Sequence, residues 1–182
     1  MVSPTSHTER WIRQQQEEIG ASDPIILEKA IYALTLLDAL STSSLDFLFK
    51  GGTALLLHLP KPLRLSIDID IVTAESKENI EKSLTALLPA TPFLKWKEHD
   101  RGERGLPKRT HYKLFYASPT QNRELVILLD VVYESNFLGH LEEKEIVTSF
   151  LDVENPVKVH LPKVESLLAD KLTAFAPATV GV

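Results

Sequence analysis

Phe49-Lys50-Gly51-Gly52-Thr53 is followed a dozen residues later by Arg64-Leu65-Ser66-Ile67-Asp68-Ile69-Asp70. The first run places a glycine turn between an apolar stretch and a helix-like one. The second sets two carboxylates one residue apart. Residues two apart on a strand share a face, so a strand over 65–72 turns Asp68 and Asp70 one way. Ile67, Ile69 and Ile71 then face a core on the other side. Two like charges side by side repel and are costly to desolvate. The usual reason to build such a pair is a divalent metal, and a nearby glycine turn suggests that the metal carries a nucleotide phosphate.

Each part of this site has a plainer reading beside it. A Gly-Gly pair by itself is most often only a tight turn. Between strand and helix, however, free backbone N–H groups and the helix dipole favour a phosphate, and glycine allows close approach. Thr53 is placed to cap the helix, to donate to phosphate, or to do both. Asp68 and Asp70 could also be solvated residues of an edge strand. Asp130 gives separate support, because it interrupts the apolar run Leu125-Val126-Ile127-Leu128-Leu129-Asp130-Val131-Val132. Such a run marks a strand covered on both faces, where a lone carboxylate is unfavourable unless a cation or donors compensate it. Sharing a metal with Asp68 and Asp70 would do so; a capped or ion-paired Asp is the alternative.

Lys171 has Leu167, Leu168, Ala174 and Phe175 as neighbours one helical turn away. It therefore points toward the protein, either snorkelling to the edge or reaching a triphosphate. Asp170 borders that stripe. Arg64 and Ser66 stand just before the carboxylates, where Arg64 suits a phosphate or an acid. His7, His58, His99, His111, His140 and His160 show no metal-ligand spacing and read as structural or surface residues. Arg101, Arg104, Lys108, Arg109, His111 and Lys113 form a basic stretch around Tyr112. That is an ordinary solvated face or, with a polynucleotide acceptor, a hold on an RNA backbone.

The flanking pattern predicts a loose or helical lead-in over 1–22, then a helix from Pro24 with Asp23 as N-cap, one face packed on the core. Ser41-Thr42-Ser43-Ser44 ends it. A short strand over 46–50 follows, then a helix over 53–58 stopped by Pro60 and Pro62. A helix over 76–88 leads to strands over 93–98, 111–117 and 124–133, with a loop over 100–109 and a turn over 119–122. Shorter strands are expected over 146–150 and 157–161, and a helix over 162–176. Alternating elements followed by clustered strands predict an α+β (α/β) fold with helices against a mixed sheet. The expected organisation is a helical lead-in, 1–44, and a core domain, 45–182.

The chain has 182 residues, 43% of them hydrophobic and 25% charged, enough for one well-buried core. A net charge of -5 argues against a generally basic nucleic-acid binder but not against a local basic patch. There is no cysteine, hence no thiolate zinc site and no cysteine nucleophile. No apolar run has the length of a membrane span, and the N-terminus lacks the apolar core of a signal peptide. A cytoplasmic protein with no membrane partner is expected.

With Phe49–Leu55, Arg64–Asp70, Asp130 in its strand and Leu168-Ala169-Asp170-Lys171-Leu172, the chain resembles the AbiEii/AbiGii toxin family from about residue 45 onward. These are nucleotidyltransferase-fold proteins related to the minimal nucleotidyltransferases and DNA polymerase beta. The resemblance implies the toxin of a bacterial toxin–antitoxin system, also acting in abortive infection, with an antitoxin as partner. It implies an NTP substrate and two Mg²⁺ ions held by Asp68, Asp70 and Asp130. Gly51, Gly52 and Thr53 would cradle the phosphates, with Arg64, Ser66 and Lys171 also on the nucleotide. Transfer of a nucleoside monophosphate to a hydroxyl, most simply at the 3′ end of tRNA, would release pyrophosphate. A nucleotide-binding interaction module with little catalysis, or transfer to a protein or a small molecule, are the alternatives. The family's pattern continues past the lysine helix into a helical region with a further charged motif. This sequence ends at Ala178-Thr179-Val180-Gly181-Val182 without it, so a chain inactive on its own is expected if that motif is needed.

Overall fold

The computed structural model describes residues 1–20, 23–59, 64–99, 108–134 and 140–174. A 3₁₀ turn, Pro4–His7, and helix α1, Glu9–Ile19, open the chain. Thr8 caps α1 by accepting from the Trp11 N–H, and Gly20 closes it in the left-handed conformation, φ 69°. The lead-in is thus ordered. Ser3 N–H donates to the Asp152 carbonyl at 2.8 Å, and Trp11 Nε1 donates to the Phe150 carbonyl at 3.0 Å.

Helix α2, Pro24–Ser41, starts where its cap signal places it, with Asp23 accepting from Ile25 N–H at 2.8 Å. The expectation of one packed face understates its burial. Leu27, Ala30, Ile31, Ala33, Leu34, Leu36, Leu37 and Leu40 are all inaccessible, which places α2 at the centre of the core. A helix apolar all round belongs there. Its polar residues are accommodated: Glu28, fully buried, accepts from the Thr120 hydroxyl, and Tyr32 stacks on Tyr116 with centroids 3.7 Å apart.

Strand β1, Leu48–Lys50, runs directly into helix α3, Gly51–His58. Strand β2, Ile69–Thr73, follows, then α4, Lys77–Leu87, capped by Ser76. Strands β3, Phe93–Glu98, β4, Lys108–Ala117, and β5, Glu124–Tyr133, complete a five-stranded mixed sheet of order β1-β2-β5-β4-β3. Among the described residues of this sheet, only β2 and β5 pair in parallel. The expected loop over 100–109 lies for 100–107 outside the described residues, and Lys108 and Arg109 already belong to β4.

The second half departs from expectation in one element. Residues 146–150 are not a strand. Val147 N–H donates to the Glu145 carbonyl at 2.9 Å, a tight bond that turns the chain away from an extended path. Ile146 and Phe150 remain fully buried as anchors. The strand at this place is β6, Leu141–Glu145, antiparallel to β7, Lys158–Pro162, in a separate two-stranded sheet. Helix α5, Val164–Ala174, follows and packs against α3 and β7.

The five-stranded sheet has two unlike faces. Tyr112, Leu114, Tyr116, Ile127, Leu129 and Val131 are buried in the core that contains α2. The opposite face carries a small cluster of Leu48, Val72 and Val132. Beside that cluster lie the charged residues of the candidate site.

Candidate functional site

The site follows from strand register. Lys50 pairs with Asp70 across β1 and β2. Asp70 pairs with Asp130 across β2 and β5, and Asp130 with His111 across β5 and β4. Register partners in a sheet project to the same face. Lys50, Asp70, Asp130 and His111 therefore form one row across four strands, on the face opposite the main core.

Asp68 lies just outside this ladder. The expected strand over 65–72 forms hydrogen-bonded pairs only from Ile69, and the segment before it is fastened differently. The Thr53 hydroxyl, fully buried, donates to the Asp68 main-chain carbonyl. That bond ties α3 to the approach of β2 and uses the Thr53 hydroxyl proton. Asp68 is nonetheless near enough to act on the charge of Asp70.

The Asp70 carboxyl is pushed up to about 6. Burial is the main cause, reinforced by the negative charges of Asp130 and Asp68, while Lys50 and Lys171 pull the other way. A carboxylate held among carboxylates is the electrostatic state that a bound cation relieves. Asp130 keeps 24% of its side chain exposed and accepts from His111 Nδ1 at 2.7 Å. A carboxylate only accepts, so Nδ1 of His111 carries the proton in this bond.

Gly51 has φ +78°, and a Cβ built there would lie 2.0 Å from Asp70 Oδ2. The backbone thus presses against the carboxylate where no side chain fits. The helix starts at Gly51 itself, with Lys50 as its N-cap residue and no side-chain cap bond. The Lys50 side chain thus does not occupy the N–H groups of the first turn. A Cβ on Gly52 would lie 3.0 Å from Ser66 Oγ and 3.7 Å from Lys171 Nζ. Ser66 and Lys171 thus meet at the start of α3. Lys171 does not lie on a buried stripe: Leu167 is 5% exposed, but Leu168 is 57% exposed, and Phe175 lies outside the described residues. Arg64 is exposed just before this cluster, and Asp170 is half-buried.

Two residues of the row were not singled out for the site from sequence. Lys50 is only 8% exposed although charged, and His111 likewise. The signal for His111 was its alternation with Arg109 and Lys113 on one side of β4, against Tyr112 and Leu114 on the other. For Lys50 it was a charge at the end of a buried strand.

Among the described residues no three His, Cys, Asp or Glu side chains form a group that could hold a metal ion. The donor set does fit Mg²⁺ in its usual role, one or two carboxylates with water and substrate phosphates completing the shell. Asp70 and Asp130 supply that pair, and the first turn of α3 with Lys171 supplies a place for phosphates. No helix of the described residues is long and apolar enough to cross a membrane.

Residues 35–180 match the profile of a family described as nucleotidyl transferase AbiEii toxin of type IV toxin–antitoxin systems. No curated protein matches the chain. Two solved structures from Helicobacter pylori share its fold. One, provisionally assigned as a nucleotidyltransferase, is 17% identical with a TM-score of 0.51, over 85% of this chain and 58% of that one. The other, JHP933, is 16% identical with a TM-score of 0.50, over 100% of this chain and 60% of that one. The chain thus spans about three fifths of each neighbour's length.

Proposed function

The chain belongs to the nucleotidyl transferase AbiEii toxins of type IV toxin–antitoxin systems, and on that premise we propose that it transfers a nucleoside monophosphate from an NTP to an RNA hydroxyl. The observation that carries this reading is the Asp70–Asp130 register pair beside the uncapped start of α3.

In this reading the backbone N–H groups of Gly51 and Gly52 hold the terminal phosphates. Lys171 and Ser66 contact the same group, and Arg64 neutralises it from outside. Asp70 and Asp130 would hold Mg²⁺, with the Asp68 charge nearby adding to its attraction; when bound the ion would neutralise phosphate charge and acidify the acceptor hydroxyl. Asp130 takes the hydroxyl proton. The hydroxyl oxygen forms a bond to the α-phosphorus, the α–β bridging bond breaks, and pyrophosphate leaves with that electron pair. Positioning and charge stabilisation supply the rate.

RNA as acceptor is favoured by the rest of the same sheet face. Lys97 pairs with Lys113 across β3 and β4, two register places from His111, and Arg109 lies on the other side of it. These cations border the carboxylates on the side away from Lys171. A cytoplasmic setting and an antitoxin as partner complete the reading.

The test is incubation with each α-labelled NTP, Mg²⁺, total RNA and a protein extract. Label in RNA that disappears with Asp70→Asn is the expected result. Label in protein would move the acceptor. Label in neither, with NTP still bound, would leave a nucleotide-binding interaction module.

A further inference from the structure

We propose that His111 is a positioning residue that fixes the Asp130 carboxylate for metal binding; the inference rests on Asp130 being a metal ligand, as above. Asp130 and Asp70 are register neighbours on one face. Their ionised side chains repel, and Asp130 is open enough to rotate toward water. A carboxylate that swings away must be reordered before each binding event, which weakens affinity.

His111 prevents that rotation. Its Nδ1 lies 2.7 Å from Asp130 Oδ1. The ring is held in place, being only 8% exposed on a strand paired with β3 on one side and β5 on the other. Nδ1 is the ring nitrogen nearest the backbone, so the donor hangs on a short tether with little freedom. With Oδ1 engaged, the orientation of the Asp130 carboxylate on this face is set before a cation arrives. A donor behind a metal carboxylate is a known means of fixing ligand orientation, and its loss typically weakens binding about 10–100-fold.

The substitutions follow from the identity of the nitrogen. In His111→Asn the amide nitrogen stands the same number of bonds from the backbone as Nδ1. In His111→Gln it is displaced by one carbon, and His111→Leu has no donor. Mn²⁺ serves as the probe, its binding to the full chain without nucleotide followed by electron paramagnetic resonance, with circular dichroism melts to check folding. The expected result is Asn close to native affinity, and Gln and Leu weakened about tenfold or more. In a nucleotidyl-transfer assay the same order is expected in the Mn²⁺ concentration for half-maximal rate, with the rate at saturation less affected.

Leucine or glutamine variants that bind Mn²⁺ as tightly as the native chain, while Asp70→Asn does not bind, would overturn the role of His111 and leave the metal reading standing. Asp70→Asn and Asp130→Asn chains that bind Mn²⁺ like the native one would overturn both. Should His111→Leu fail to fold, the contrast between Asn and Gln decides. Equal affinities in those two overturn the proposal.

Discussion

Asp70 carries a stability cost that the proposed metal site would explain. Its carboxyl titrates near 3.8 when unfolded and at about 6 in the fold. Between those values the folded chain keeps a proton that the unfolded chain has lost. Stability therefore falls as pH rises through that window, and the cost persists above it. Asp70→Asn should melt higher than the native chain at pH 8, by at most about 3 kcal/mol, and this advantage should vanish near pH 4. The same variant should lose nucleotidyl transfer by roughly 10²-fold or more. Calorimetry at the two pH values and a transfer assay check both halves. Gly51 is the second sensitive position. Gly51→Ala combines a positive φ with a Cβ 2.0 Å from Asp70 Oδ2, so it should displace the carboxylate and destabilise the chain by about 1–3 kcal/mol. Gly52→Ala comes tight only against the movable Ser66 hydroxyl at 3.0 Å, with Lys171 Nζ in ordinary contact at 3.7 Å. It should fold normally and show a raised KM for NTP.

At the scale of elements, docking of the N-terminal turn on α2 should respond to acid. His7 Nε2 lies 2.8 Å from Thr35 Oγ1, whose own proton goes to the Ile31 carbonyl. The ring meets the edge of Tyr32 at 4.9 Å. Burial pushes His7 down to about 4, against 6.5 in the unfolded chain. The unfolded chain takes up the proton first as pH falls, so this contribution is whole above pH 6.5 and is lost progressively toward pH 4. Amide exchange over residues 4–19, corrected for intrinsic rate, should quicken at pH 5 relative to pH 7, and His7→Phe should flatten that difference. Thr53→Val, which removes the bond to the Asp68 carbonyl, should cost about 1–3 kcal/mol in a urea titration. Elements with strong local punctuation were legible from sequence. Asp23-Pro24 marked the start of α2, and the turn over 119–122 the β4–β5 hairpin. β6 was not legible, because Leu141-Glu142-Glu143-Lys144-Glu145 has one apolar residue among five and is set by pairing with β7. Nor was the early end of the β2 ladder, because Leu65–Asp68 alternates like a strand, yet the registered pairs of β2 with β1 and β5 begin only at Asp70 and Ile69.

For the whole molecule, one sheet face gathers the groups of the proposed site. Lys97 and Lys113 flank the row of Lys50, Asp70, Asp130 and His111. Double reversal, Lys97→Glu with Lys113→Glu, should weaken RNA binding in a filter assay by about 10-fold or more at low salt and leave NTP affinity unchanged. The carboxylates were legible before the fold was known, since a charge such as Asp130 inside an apolar run demands a compensating partner. Their neighbours were not, because Lys50 and His111 join the site through register, a property of pairs of strands rather than of either one. Register also sets an order in time. Asp70 and Asp130 stand on adjacent parallel strands, yet α4, β3 and β4 are all synthesised between them, and Lys171 comes later still. A nascent chain on the ribosome therefore cannot bring the groups of the proposed site together until nearly all of the described fold has emerged.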